Sequence, residues 1–165
     1  MNIWQFLLSK LNDNQQPILL LVIDNRGSSP GRKGFKMAVS EDGDFVGTIG
    51  GGIMEVKLLE LAKSKMKKED TEIIIKQQFH DKKHVSNQSG MICSGEQTIA
   101  IIPLNINDLP LINKINTNIH KSLKIAISKI GIRITKEDEK EKFDWSEGQK
   151  EFEIIMAINA PKRVH

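Results

Sequence analysis

Phe45-Val46-Gly47-Thr48-Ile49-Gly50-Gly51-Gly52-Ile53-Met54-Glu55-Val56-Lys57-Leu58-Leu59-Glu60 changes period from strand to helix across three consecutive glycines. Phe45 to Ile49 is rich in β-formers. From Ile53 onward, Ile53, Val56, Leu59 and Met66 recur at the three- and four-residue spacing of an amphipathic helix, with Met54, Leu58, Leu61 and Ala62 beside them. Gly50, Gly51 and Gly52 let the backbone take positive φ and come close to a neighbour. The helix that follows them directs unpaired N–H groups and its positive dipole end into the same space. That arrangement binds anions. Glu55 falls in the first turn, where a carboxylate complements the dipole and stands on the rim of such a site. On the residues alone a second reading stays open: a tight strand-to-helix corner whose glycines only permit close packing.

Upstream of this junction, Phe35 to Val39 alternates like a strand and Glu41-Asp42-Gly43-Asp44 is a hairpin turn leading into Phe45. Before it lies Gly27-Ser28-Ser29-Pro30-Gly31-Arg32-Lys33-Gly34, too rich in glycine and proline to be regular. The hairpin therefore brings that loop and the triple glycine to neighbouring places. Ile18 to Asp24 is an unbroken aliphatic run that suits a strand buried on both faces. Ile3, Phe6, Leu7 and Leu11 give a short N-terminal helix ending near Asn12.

Downstream, Lys63 to Asp70 reads as a charged, solvated end of the helix. Ile73 to Phe79 and Glu96 to Pro103 read as strands, and Asp108 to Asn118 as a weak helix. Leu123 to Ser128 and Ile130 to Thr135 make a hairpin with Phe152 to Ile158 beside it, and Lys136 to Lys142 is a charged loop. The expected fold is α+β: a mixed sheet flanked by a few helices, with a small antiparallel strand subdomain over residues 120–159.

The 165 residues suffice for one well-filled core. With 24 basic and 21 acidic residues scattered along the chain, the net charge of +3 is too balanced for nucleic-acid binding. The longest apolar run, Ile18 to Ile23, is too short to span a bilayer. One cysteine excludes an internal disulfide, and no signal peptide is apparent. A soluble, cytoplasmic protein is expected. His80 and His84 stand four apart and invite a zinc site with Cys93, but no fourth ligand is evident, so no metal site is assigned.

Three signals stand in order: Gly27-Ser28-Ser29-Pro30 with Gly34-Phe35-Lys36-Met37; Gly47-Thr48-Ile49-Gly50-Gly51-Gly52 with Glu55; and Gly90-Met91-Ile92-Cys93-Ser94-Gly95 before a strand ending in Pro103-Leu104. Together, over roughly residues 15–105, they resemble the N-terminal domain of the XdhC/CoxI family, accessory factors of xanthine dehydrogenase and related molybdenum hydroxylases. The resemblance implies a maturation factor rather than a catalyst. Such a factor transiently binds molybdenum cofactor (molybdopterin), assists its sulfuration by a cysteine desulfurase, and inserts it into the apo-enzyme; it is expected to be a homodimer.

By the same resemblance, residues 1–105 form the family's N-terminal domain, 106–159 an antiparallel extension of that unit, and 160–165 the start of a linker. The family's C-terminal Rossmann-like domain, through which NAD(P) would bind, is then absent, and the chain is a fragment. Two positions depart from the family: Ile53 stands where a cysteine or another polar residue often follows the triple glycine, and Ser94 where glycine is common.

A pterin dithiolene with a phosphate tail suits these residues. Gly50, Gly51 and Gly52 would hold the phosphate at the helix N-terminus, Ser28 and Ser29 would donate hydrogen bonds, and Lys36 would neutralise charge, with Arg32 or Lys33. Glu55 borders the site. Cys93, the single thiol, is a candidate sulfur ligand or carrier, since thiolates are soft ligands for a molybdenum–sulfur centre. Other readings stay open: Ser28 and Ser29 capping a turn, Arg32 and Lys33 as solvated charges, and Cys93 as a packing residue. Two other functions also remain: a sulfur-transfer or small-molecule enzyme domain using Cys93, and a dimerisation or client-docking module.

Overall fold

The computed structural model describes residues 1–80 and 95–158. Helix α1 (Ile3–Asn12) is closed by a capping box: the Asn2 side chain accepts from the Gln5 N–H, and the Gln5 side chain accepts from the Asn2 N–H. Strand β1 (Ile18–Gly27) follows, then β2 (Lys36–Val39), β3 (Phe45–Gly47), α2 (Gly52–Lys67), β4 (Ile74–His80) and β5 (Gly95–Pro103). A turn of 3-10 helix (Ile106–Asp108) leads into α3 (Leu109–Thr117). The chain continues through β6 (Lys124–Ser128), β7 (Gly131–Ile134), β8 (Lys142–Asp144) and β9 (Glu153–Ala157).

The α+β class is as expected. The strands form a five-stranded sheet in the order β3-β2-β1-β5-β4 and a four-stranded sheet in the order β7-β6-β9-β8. Every described pairing is antiparallel, so the main sheet lacks the parallel component expected of a mixed one. The reason is the path of α2, which carries the chain from edge strand β3 to the opposite edge, where β4 enters beside an antiparallel β5 rather than beside β3.

Strand β1 lies at the centre and is buried from Ile18 to Ile23, as a run apolar on both faces requires. Its alternation splits the core in two. Ile18, Leu20 and Val22, with Met37, Val39, Ile49, Ile99 and Ile101, face α2 through Leu58 and Ala62. Leu19, Leu21 and Ile23, with Ala38, Ala100 and Ile102, face α1, α3 and the second sheet through Leu7, Leu11, Ile112, Ile115, Ile125, Ile127 and Ile154. The second sheet thus shares one core with α1 and the main sheet.

Helix α2 departs from its expected face. Ile53 and Val56 are 45% and 53% exposed, whereas Leu58, Ala62 and Lys65 are buried. The buried stripe runs through Leu58, Ala62 and Lys65 with Met54 half-buried on the same side, so the helix is turned about its axis relative to the expected face. The end expected to be solvated holds Lys65, buried and ion-paired to Asp70 at 3.1 Å, without hydrogen-bond alignment. Two further differences concern strands: β1 runs on to Gly27, and β8 forms at the end of the expected charged loop.

Candidate functional site

The site begins with a bulge in β1. The register against β5 slips between Val22 and Asp24, which turns residues 24–27 out of the regular alternation. The loop after β1 returns at once: the Gly34 N–H donates to Val22 O (2.8 Å) and the Val22 N–H to Phe35 O (2.9 Å). Asn25 Oδ1 accepts from the Lys33 N–H at 2.8 Å and fixes the tip.

This loop and the triple glycine meet directly. A Cβ at Gly31 would stand 2.3 Å from Ile49 O, and a Cβ at Gly50 2.6 Å from the Gly31 nitrogen, so the two backbones touch where any side chain would part them. Buried Gln97 of β5 sits beneath the contact. Its Oε1 accepts from the Gly31 N–H (3.0 Å) and its Nε2 donates to Ile49 O (3.2 Å) and Gln78 Oε1 (3.3 Å). Sequence reading missed Gln97. It lies in a strand that reads as plain alternation, and only its polarity at a buried position marks it.

Glu55 does more than border the space. Its Oε1 accepts from Thr48 Oγ1 (2.6 Å), the Ile49 N–H (3.0 Å) and the Gly51 N–H (3.2 Å), while Thr48 Oγ1 accepts from the Gly50 N–H (3.1 Å). The carboxylate folds the loop over the start of α2, whose N-cap Gly51 has no side chain to do so. Among the described residues no acceptor reaches the amides of Gly52, Ile53 and Met54. No described residue comes within 4 Å of where side chains of Gly51 and Gly52 would begin. Among the described residues the helix N-terminus thus has three donors without acceptors and no steric cover.

The serines and cations divide. Ser28 is exposed, and its backbone abuts Gly95, where an added Cβ would be 2.7 Å from Ser28 C. Ser29 is buried and its hydroxyl donates to Gly31 O at 2.7 Å, so its proton serves the turn. Arg32 and Lys33 are exposed. Lys36 stands opposite Leu21, so its side chain leaves β2 on the α1 side rather than the α2 side. Its Nζ donates to Gly34 O at 2.9 Å, and burial pushes its pKa down from the ordinary 10.5. The loops therefore bring Ser28, Ser29, Gly50, Gly51, Gly52 and Glu55 to one end of the sheet, while Lys36 supports the first loop from the other face. Cys93, Ser94 and His84 lie outside the described residues, as does the expected linker at 160–165. Among the described residues no cluster of three or more His, Cys, Asp or Glu is placed to hold a metal ion.

The model of the XdhC and CoxI family matches residues 11–75, the span from the end of α1 through both glycine loops to the start of β4. Over that span the chain is similar to the XdhC and CoxI family. The chain is also similar to uncharacterized protein YqeB of Escherichia coli (strain K12), 43% identical over 53 residues, 32% of this chain and 10% of YqeB. The fold also resembles the crystal structure of a xanthine dehydrogenase from Bacillus halodurans, with a TM-score of 0.65 and 18% identity. That likeness covers 98% of this chain and 54% of the Bacillus one, and at such identity it is a likeness of fold. This chain spans about half the length of that protein.

Proposed function

We propose that the chain is the cofactor-handling part of a maturation factor for a xanthine-dehydrogenase-type molybdenum hydroxylase, receiving the phosphate tail of molybdenum cofactor at the start of α2. The observation that supports this is the open first turn: three amides without acceptors among the described residues, beside two glycines with no described residue within 4 Å of where side chains would begin. Such a cradle suits a phosphate, because amide donors and the helix dipole act together there. The bound group would supply the molybdenum and dithiolene chemistry. The chain's own part is to hold and orient an anion, with Glu55 keeping the loop closed behind it. Cys93, two positions before Gly95 in the sequence, is the proposed sulfur ligand or carrier. The apo-hydroxylase and a cysteine desulfurase are the proposed partners, and a cytoplasmic homodimer the proposed state. Among the described residues no helix is long and apolar enough to cross a membrane.

The test is retention of molybdenum cofactor by the purified chain. Gly51→Val fills the open space and should lower retention at least tenfold, and Cys93→Ser should lower it while leaving phosphate binding intact. Equal retention by wild type, Gly51→Val and Cys93→Ser would overturn the reading.

A further inference from the structure

We infer that Gln97 is the positioning residue that locks the two glycine loops into a single anion-receiving rim, an inference that rests on the phosphate reading above. Each loop has its own closure: Ser29 and Asn25 hold the first, Glu55 and Thr48 the second. Among the described residues Gln97 is the side chain that bonds to both. It does so from a buried place in β5, using its acceptor on Gly31 N–H and its donor on Ile49 O. The two carboxamide ends are not interchangeable, since an N–H of one loop and a C=O of the other demand one acceptor and one donor. Gln78, paired with Gln97 across the β4–β5 ladder, fixes that orientation by accepting the amide's remaining proton at 3.3 Å. A carboxylate of the same length offers no donor, and a thioether provides neither group at full strength. Either change frees Ile49 O and lets the loop bearing Gly50 and Gly51 drift from Gly31, moving the α2 amides relative to the first loop.

The experiment measures inorganic phosphate affinity and amide hydrogen exchange on the whole chain, for wild type, Gln97→Glu, Gln97→Met and Gln78→Met. Phosphate affinity should fall at least tenfold in both Gln97 variants and less than threefold in Gln78→Met. In Gln97→Met, which removes its acceptor, the Gly31 amide should lose protection, while the Ile49 amide stays held by Glu55. Unchanged affinity in a folded Gln97 variant would overturn the inference. In wild type alone, phosphate should protect the Gly31 amide along with those of Gly52 and Ile53. Protection confined to α2 would overturn the inference even if neither Gln97 variant folds. No phosphate binding by wild type removes the anion reading instead. The loop lock is then decided by exchange: loss of Gly31 protection in Gln97→Met upholds it, and unchanged protection there sinks it.

Discussion

Gly50 and Gly51 have φ of 122° and 76°, yet only at Gly50 would an added side chain meet the other loop. Gly51→Ala should therefore cost only the penalty of a backbone region that is essentially glycine's own, about 1–3 kcal/mol. Gly50→Ala adds a backbone collision and should cost about 2–4 kcal/mol. Urea titration separates the two, and equal losses would mean that the loops do not touch. Lys36 makes a prediction with a definite sign. Its folded-state pKa is depressed by burial, so the protonated head opposes folding below that pKa, and the deficit disappears as pH rises to the ordinary 10.5. Lys36→Met should accordingly gain on wild type at pH 7, with the gap closing toward pH 10.5 when urea midpoints are compared at several pH values. A gap that widens with pH would contradict the assignment.

At the level of elements, the end of α1 is tied to the β2–β3 turn by charge. Lys10 Nζ lies 3.0 Å from Asp42 and 3.1 Å from Asp44. The Ser40 hydroxyl first, and Lys10 second, hold the Asp42 carboxyl well below the usual carboxylate range. Hydrogen bonding to Asp42 holds Lys10 above 10.5. The depressed acid contributes above pH 3.8 and its contribution is lost as pH falls through the folded-state value; the raised base contributes below 10.5 and is lost above. Asp42→Asn should therefore flatten the dependence of stability on pH below 3.8, and an unchanged acid limb would show the tie to be idle. Much at this scale was legible from residues: the unbroken run from Ile18, the spacing of Ile3, Leu7 and Leu11, and the meeting of the two glycine loops through a hairpin. The buried stripe of α2 was not, because Ile53, Val56 and Leu59 keep helical spacing as Leu58 and Ala62 do, and only packing against the sheet selects between the two faces. Gln97 and the three bonds to Glu55 were also invisible, since both depend on which residues of distant elements come to face each other. Strand β8 was hidden in a charged segment that gains its order from pairing with β9.

For the whole molecule, the shared core around Leu7, Leu11, Ile127 and Ile154 implies that both sheets melt together. Two tryptophans report on the halves: Trp4 is buried under the main sheet, and Trp145 packs at the edge of the second. Trp4→Phe and Trp145→Phe each leave one reporter, and their fluorescence transitions in urea should have the same midpoint once the stability change from each substitution is measured by circular dichroism. Midpoints that stay apart would show two independent units. Ile154→Ala should lower the stability seen by both reporters by about 2–5 kcal/mol. The buried Lys65 has a practical sequel. Mild acylation of the native chain would decorate the exposed amines and pass over this one, which stands 4% exposed against Asp70. Its modification, read by mass spectrometry, would then serve as a clock for the detachment of the far end of α2 from the sheet.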